Sequence, residues 1–207
     1  MILVGQYGSP FVRRVAVSLR VLGFAYRHDA RSVFGDFEAM RAVNPLGRVP
    51  SLILPDGTTL IDSAAILDWL DQEVGPDRAL TPPGGRARRE ALRRIALATG
   101  AIDKTGVAAY ERIIRPAACR WPEWIARCRL QASGAPAALE AEPWPEEGPL
   151  DQARITTACA LRYVALVDPE LIPPGRYPAL EALSARCEAR AEFRATYPAE
   201  YVVPRGA

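Results

Sequence analysis

Histidine and lysine are almost missing from this 207-residue chain: His28 is its one histidine and Lys104 its one lysine. The four cysteines, Cys119, Cys128, Cys159 and Cys187, all fall in the second half, and none is spaced as C-x-x-C. Without a Cys/His cluster there is no ligand set for zinc, and without a vicinal pair there is no dithiol redox centre. No metal is expected, and scattered cysteines suit buried free thiols in a reducing compartment. Long apolar runs are also lacking; nothing approaches the ~20 residues that span a bilayer. The start, Met1-Ile2-Leu3-Val4-Gly5, has neither the charged n-region nor the long apolar stretch of a secretion signal, so a cytoplasmic protein with no membrane partner is expected. The net charge of +2 gives no general attraction to nucleic acid.

What is present is enough to build a core. The chain is 49% hydrophobic and 24% charged, ordinary values for a folded protein. Residues 2–6 read as a buried strand ending in Tyr7-Gly8-Ser9-Pro10. Pro10 suits the first position of a helix and Ser9 its N-cap. Val12, Val15, Leu19 and Leu22 then recur at helical spacing, and Gly23 is placed to stop the helix. A second strand is expected over 24–29 and a helical or irregular segment over 34–42, broken by Asn44-Pro45. Residues 51–54 and 58–61 flank Pro55-Asp56-Gly57, a hairpin signal. A helix over 63–74 follows, with Ile66, Leu67, Leu70 and Val74 inward. The order β-α-β-α-β-β-α, opening with a parallel βαβ unit, predicts an α/β domain over 1–75.

A Gly/Pro-rich stretch over 76–85 reads as a linker. Everything from 86 to 207 is helical by pattern, an all-α bundle. Leu92, Ile95, Thr99, Ile102, Tyr110 and Ile113 trace one face of a long helix ended by Pro116. Pro122 and Pro178 open two more helices, and Asp151 caps another whose Ile155–Val167 stretch is apolar nearly all round. Arg86, Arg88, Arg89, Arg93 and Arg94 read as a solvated face, with a dimer or anion contact as the second reading.

Three short signatures carry the chemistry. Ser9-Pro10-Phe11-Val12-Arg13-Arg14 stands at a strand–helix junction, Asn44-Pro45-Leu46-Gly47-Arg48-Val49-Pro50 precedes a strand, and Asp62-Ser63 opens a helix. In that order they resemble the glutathione S-transferase superfamily, most closely bacterial members that carry Ser or Cys before a Pro at the first helix. The resemblance spans essentially the whole chain and implies a thioredoxin-like domain followed by the helical bundle. It also implies glutathione as co-substrate, a small hydrophobic electrophile, a homodimer and a role in detoxification.

Residue by residue, the resemblance makes Ser9 the hydroxyl that donates to the glutathione sulfur, with Tyr7 the rival donor. Phe11 and Arg48 join the glutathione site. A cis Val49-Pro50 bond exposes the Val49 backbone to the cysteinyl unit, Ser63 takes the γ-glutamyl carboxylate and Asp62 the ammonium. Tyr7 and Tyr110 are candidates for the electrophile pocket, with Asp103 near Tyr110. Each has a plainer role too: Ser9 and Ser63 as helix N-caps, Pro50 as a strand-entry proline, Arg48 as a solvated cation, Tyr7 and Tyr110 as packed aromatics. His28, Trp121, Trp124 and Trp144 are read as structural. The same site also supports glutathione-dependent isomerisation, dehalogenation or lyase chemistry, or binding without turnover. A disulfide-exchange enzyme needs Cys where Ser9 stands. One departure is Arg154, which occupies the place where the family has the acid of a capping box with Asp151.

Overall fold

The apolar start of the chain folds as β1 (Ile2–Val4), an inner strand of a four-stranded mixed sheet ordered β2-β1-β3-β4. The computed structural model describes residues 1–198. β1 runs parallel to β2 (Arg27–Asp29), with Leu3 opposite His28, and antiparallel to β3 (Ser51–Ile53), with Leu3 opposite Leu52. β4 (Thr59–Ile61) completes the hairpin with β3. Its turn is the expected Pro55-Asp56-Gly57: the Asp56 carboxylate accepts the Thr58 N–H at 2.8 Å. The second strand is shorter than expected, because residues 24–26 stay outside the ladder.

Three helices accompany the sheet: α1 (Pro10–Leu22), α2 (Phe37–Val43) and α3 (Ser63–Val74). Val12, Val15, Leu19 and Leu22 are buried as their spacing required, together with Leu3, Val4, Leu52, Ile66, Leu67 and Leu70. Val74 stays only half-buried. Gly23 adopts the left-handed conformation (φ 81°) that closes α1, and the Phe24 N–H reaches back to the Leu19 carbonyl at 2.8 Å. The β-α-β-α-β-β-α order, one parallel pair and one hairpin make this a thioredoxin-like unit.

Residues 76–84 are not a free tether. The Asp71 carboxylate accepts the N–H groups of Leu80 (2.7 Å) and Thr81 (3.1 Å), and Arg78 donates to the Leu22 carbonyl at 2.8 Å. The stretch therefore belongs to the first unit, which runs to Gly84. The expected helical domain of 86–207 also ends earlier than the sequence suggests, since the chain rejoins the first unit at Arg190. The physical reason is Arg13, 1% exposed in the middle of α1. Its guanidinium donates to the carbonyls of Thr196 (3.0 Å) and Phe193 (3.2 Å) and lies 5.4 Å from the Phe193 ring. A buried cation needs such partners, and α8 (Ala191–Arg194) and the residues after it supply them.

The second unit, Gly85–Ala189, contains α4 (Gly85–Ile113), α5 (Pro122–Glu140), α6 (Gln152–Val167) and α7 (Pro178–Glu188). The buried face of α4 differs from the one its large apolar residues suggested. Ala91, Ala98, Ala101, Ile102, Thr105, Ala108 and Ala109 face inward, while Leu92 and Tyr110 are exposed. Small residues let α5 and α6 approach α4 closely, and packing density, not side-chain size, chose the face.

The Arg cluster of α4 is partly structural. Arg93 and Arg94 both pair with Glu142, and Arg94 lies over the Trp144 ring. At the head of α6, Asp151 accepts the Arg154 N–H at 2.8 Å, the expected cap. Arg154 takes another job, donating to the carbonyls of Pro149 (2.6 Å) and Pro145 (3.0 Å) and so fastening the proline-rich loop. Among the described residues no helix is long and apolar enough to cross a membrane, and no group of His, Cys, Asp and Glu could hold a metal ion. The cysteines are free, three of them buried.

Candidate functional site

α1 is the hub of the three signatures. At its amino end Ser9 is the N-cap in extended backbone, its Oγ accepting the Val12 N–H at 3.4 Å, and Pro10 takes the first helical position. A hydroxyl that accepts through a lone pair keeps its proton to donate elsewhere. The half-buried side chain thus presents an O–H beside the positive end of a helix.

The second signature reaches α1 through Gly5. Its φ of +125° brings the end of β1 against both Val12 and Val49, closer than any side chain would allow. The Val49-Pro50 bond is cis. Asn44 organises the approach: buried, it donates from Nδ2 to the Arg48 carbonyl (2.8 Å) and accepts the Leu46 N–H on Oδ1 (3.0 Å). Gly47, with φ +60°, leaves room for the Phe37 ring. Val49 itself is half-buried and its backbone groups make no hydrogen bond among the described residues. The Arg48 side chain is exposed.

At the third signature the cap is not Ser63. Asp62 fills that role with φ 61°, accepting the Ala64 N–H at 3.1 Å, and Ser63 is the first residue of α3. The Asp carboxylate reaches the first free N–H groups from one residue further back, which displaces Ser63 inward. There, 1% exposed, the Ser63 hydroxyl meets Arg14, whose Nη2 donates to it at 2.6 Å and whose Nε at 3.2 Å. Arg14 lies 5.6 Å from the ring of Phe11, itself half-buried on the first turn of α1.

The rival donor points elsewhere. The Tyr7 hydroxyl shares a 3.0 Å hydrogen bond with the Tyr26 hydroxyl, and its ring stacks on His28 at 3.9 Å. Burial first, and the Tyr26 contact second, push the Tyr7 phenol well above its ordinary pKa, with Arg20 opposing weakly. His28 donates from Nε2 to the Gly5 carbonyl at 2.7 Å, a structural tie. Tyr110 and Asp103 both stand exposed on α4 in the second unit.

Sequence reasoning missed three contributors: Gly5, Asn44 and Arg14. The signal for Arg14 was present, since two arginines interrupt an apolar helix face. Their partners lie 49 and more than 180 residues away, and no local pattern discloses them.

A family model described as the glutathione S-transferase N-terminal domain matches residues 3–78. A glutathione transferase family member from Pseudomonas fluorescens Pf-5, crystallised with bound glutathione, is 35% identical. The alignment covers 95% of this chain and 98% of that one, with a TM-score of 0.85. A glutathione S-transferase from Methylobacterium radiotolerans JCM 2831, in complex with glutathione sulfonate, is 29% identical over 99% of this chain and 98% of that one, with a TM-score of 0.89. Escherichia coli K12 has an uncharacterised GST-like protein, YibF, 29% identical over 169 residues, 79% of this chain and 82% of that protein. The fold thus defines a thioredoxin-like unit followed by a helical one. The chain belongs to the glutathione S-transferase superfamily.

Proposed function

We propose that the first unit binds glutathione and that the chain transfers it to a small hydrophobic electrophile. The observation that carries this reading is the convergence on α1. Ser9 meets its first turn directly through Val12, the cis Val49-Pro50 loop reaches it through Gly5, and Ser63 meets Arg14 on its second turn. The bound glutathione of the relatives supports the same ligand here.

A free thiol has a pKa of about 8.5 and is mostly neutral near pH 7. The Ser9 hydroxyl donates a hydrogen bond to the sulfur, and the amino end of α1 adds positive potential; both favour the thiolate, whose proton leaves to solvent. The Val49 N–H and C=O pair with the cysteinyl backbone in the manner of an added strand. The first turn of α3, with Ser63, receives the γ-glutamyl carboxylate, and Asp62 receives the ammonium. Phe11 and Arg48 border the ligand, with Arg48 on the glycyl carboxylate. The thiolate attacks an electrophilic carbon, a carbon–sulfur bond forms, and the leaving group departs with its electron pair. Ser9 stays uncharged and is not itself the nucleophile. Tyr7 is assigned to the electrophile's surroundings. Family likeness also supports a cytoplasmic homodimer acting in detoxification.

Calorimetry with glutathione, and turnover of a nitro-activated aryl halide by the natural chain and by Ser9→Ala, test the proposal. Saturable binding and turnover that depends on Ser9 are expected. No heat at millimolar glutathione would sink it, and binding without turnover of any electrophile in a broad panel would leave a binding module instead.

A further inference from the structure

We infer that Arg14 is a positioning residue that fixes Ser63 as a hydrogen-bond donor and so selects a carboxylate, over a neutral amide, at the γ-glutamyl end of the ligand. The inference rests on the glutathione reading above and deepens it.

The geometry starts with an oxygen atom. A hydroxyl has one proton and two acceptor lone pairs. Two Arg14 donors, Nη2 at 2.6 Å and Nε at 3.2 Å, converge on Ser63 Oγ. A guanidinium only donates, so both lone pairs are taken and the Ser63 proton must point to some other acceptor. Within the chain that acceptor is Asp62 Oδ1, at a long 3.3 Å, and the same oxygen already takes the Ala64 N–H at 3.1 Å. A ligand carboxylate at the first turn of α3 is the better acceptor. It also sits near the free N–H groups of the helix and one hydroxyl away from a cation.

Burial sharpens the effect. Arg14 is 3% exposed and Ser63 1%, so water screens the charge little. The Phe11 ring at 5.6 Å helps hold the guanidinium plane. A neutral amide in place of the carboxylate gains little from the cation, and its NH2 finds no acceptor on a hydroxyl whose lone pairs are occupied. A lysine at position 14 would keep the charge but offer a point donor in place of the planar fork.

The competing account is that Arg14 merely ties α1 to α3. Calorimetry separates the two with a pair of ligands: glutathione, and the analogue whose γ-glutamyl α-carboxylate is a primary carboxamide. The natural chain should favour glutathione by about tenfold or more. Arg14→Met should lose about tenfold in affinity for glutathione and less than about twofold for the amide, so that the preference collapses. Arg14→Lys should fall between, and it carries the same ratio test if Arg14→Met does not fold. Equal losses for both ligands, or an unchanged preference, overturn the role of Arg14 while leaving glutathione binding intact. If the natural chain takes up neither ligand at millimolar concentration, the glutathione reading itself fails and takes this inference with it.

Discussion

Gly5 and Val49 pack so closely that a Cβ on Gly5 would stand 2.9 Å from the Cβ of Val49, and 2.6 Å from Cγ2 of Val12. The contact joins the end of β1, the start of α1 and the cis-proline loop at one point. Gly5→Ala adds both this overlap and an unfavourable positive φ. A loss of about 3 kcal/mol in stability is expected. Urea denaturation measures it, and any folded fraction should bind glutathione more weakly because Val49 has been pushed aside.

Two substitutions separate Ser9 from Tyr7 as the candidate donor. On the proposed reading, Ser9→Ala removes a charge-assisted hydrogen bond to the sulfur worth about 1.5–3 kcal/mol. The pKa of the bound thiol should therefore rise by about one to two units. The donor favours the anion, so its removal moves the ascending limb of the pH–rate profile to higher pH. Tyr7→Phe should leave that limb in place, because its hydroxyl is engaged with Tyr26. The reverse pattern would make Tyr7 the donor.

Asp62 is the one non-glycine residue with positive φ among those described. Such backbone costs on the order of 1 kcal/mol. Asp62→Gly relieves it and gives up a cap for which glycine is a fair substitute, so thermal stability should hold or rise. Glutathione affinity should fall in the same variant, since the proposed ammonium partner is gone. Asp62→Ala should lose on both measurements.

In the second unit Asp168 is 3% exposed and pairs with Arg129 at 3.0 Å and Arg112 at 3.4 Å. Asp168→Ala takes the buried carboxylate from both arginines and leaves Arg129 with the exposed Glu170 at 2.6 Å. A loss of about 2–3 kcal/mol is expected in urea unfolding. Glutathione affinity, read by calorimetry on the folded variant, should not change.

Local chemistry was legible in the sequence wherever a residue acts on its neighbours. Ser9-Pro10 starts α1, Gly23 ends it, Pro55-Asp56-Gly57 turns the hairpin and Asp151 caps α6. An α/β unit followed by a helical one was expected from those signals and the order of elements, and the family resemblance made the first of them thioredoxin-like. What stayed hidden depends on partners distant in sequence. Arg14 looks like a surface residue until Ser63 arrives to meet it. The alanine face of α4 lost to Leu92 and Tyr110 on hydrophobicity, although small side chains win when helices must approach.

The cap at α3 shows a finer limit. Both Asp62 and Ser63 are good capping residues, and composition does not rank them. Only the backbone shows that Asp62 takes the positive φ and Ser63 turns inward. That single step of register decides which side chain faces Arg14.

Arg13 ties the timing of folding to a segment 180 and more residues further along the chain. Its acceptors, the carbonyls of Phe193 and Thr196, are made only after the whole stretch 85–189 of the second unit. A nascent chain that has completed the sheet and its helices still lacks these two acceptors for the Arg13 guanidinium. The thioredoxin-like unit is sealed only once residues 85–189 have been made, and a gene fragment stopped after Gly84 would encode a unit permanently missing its clasp.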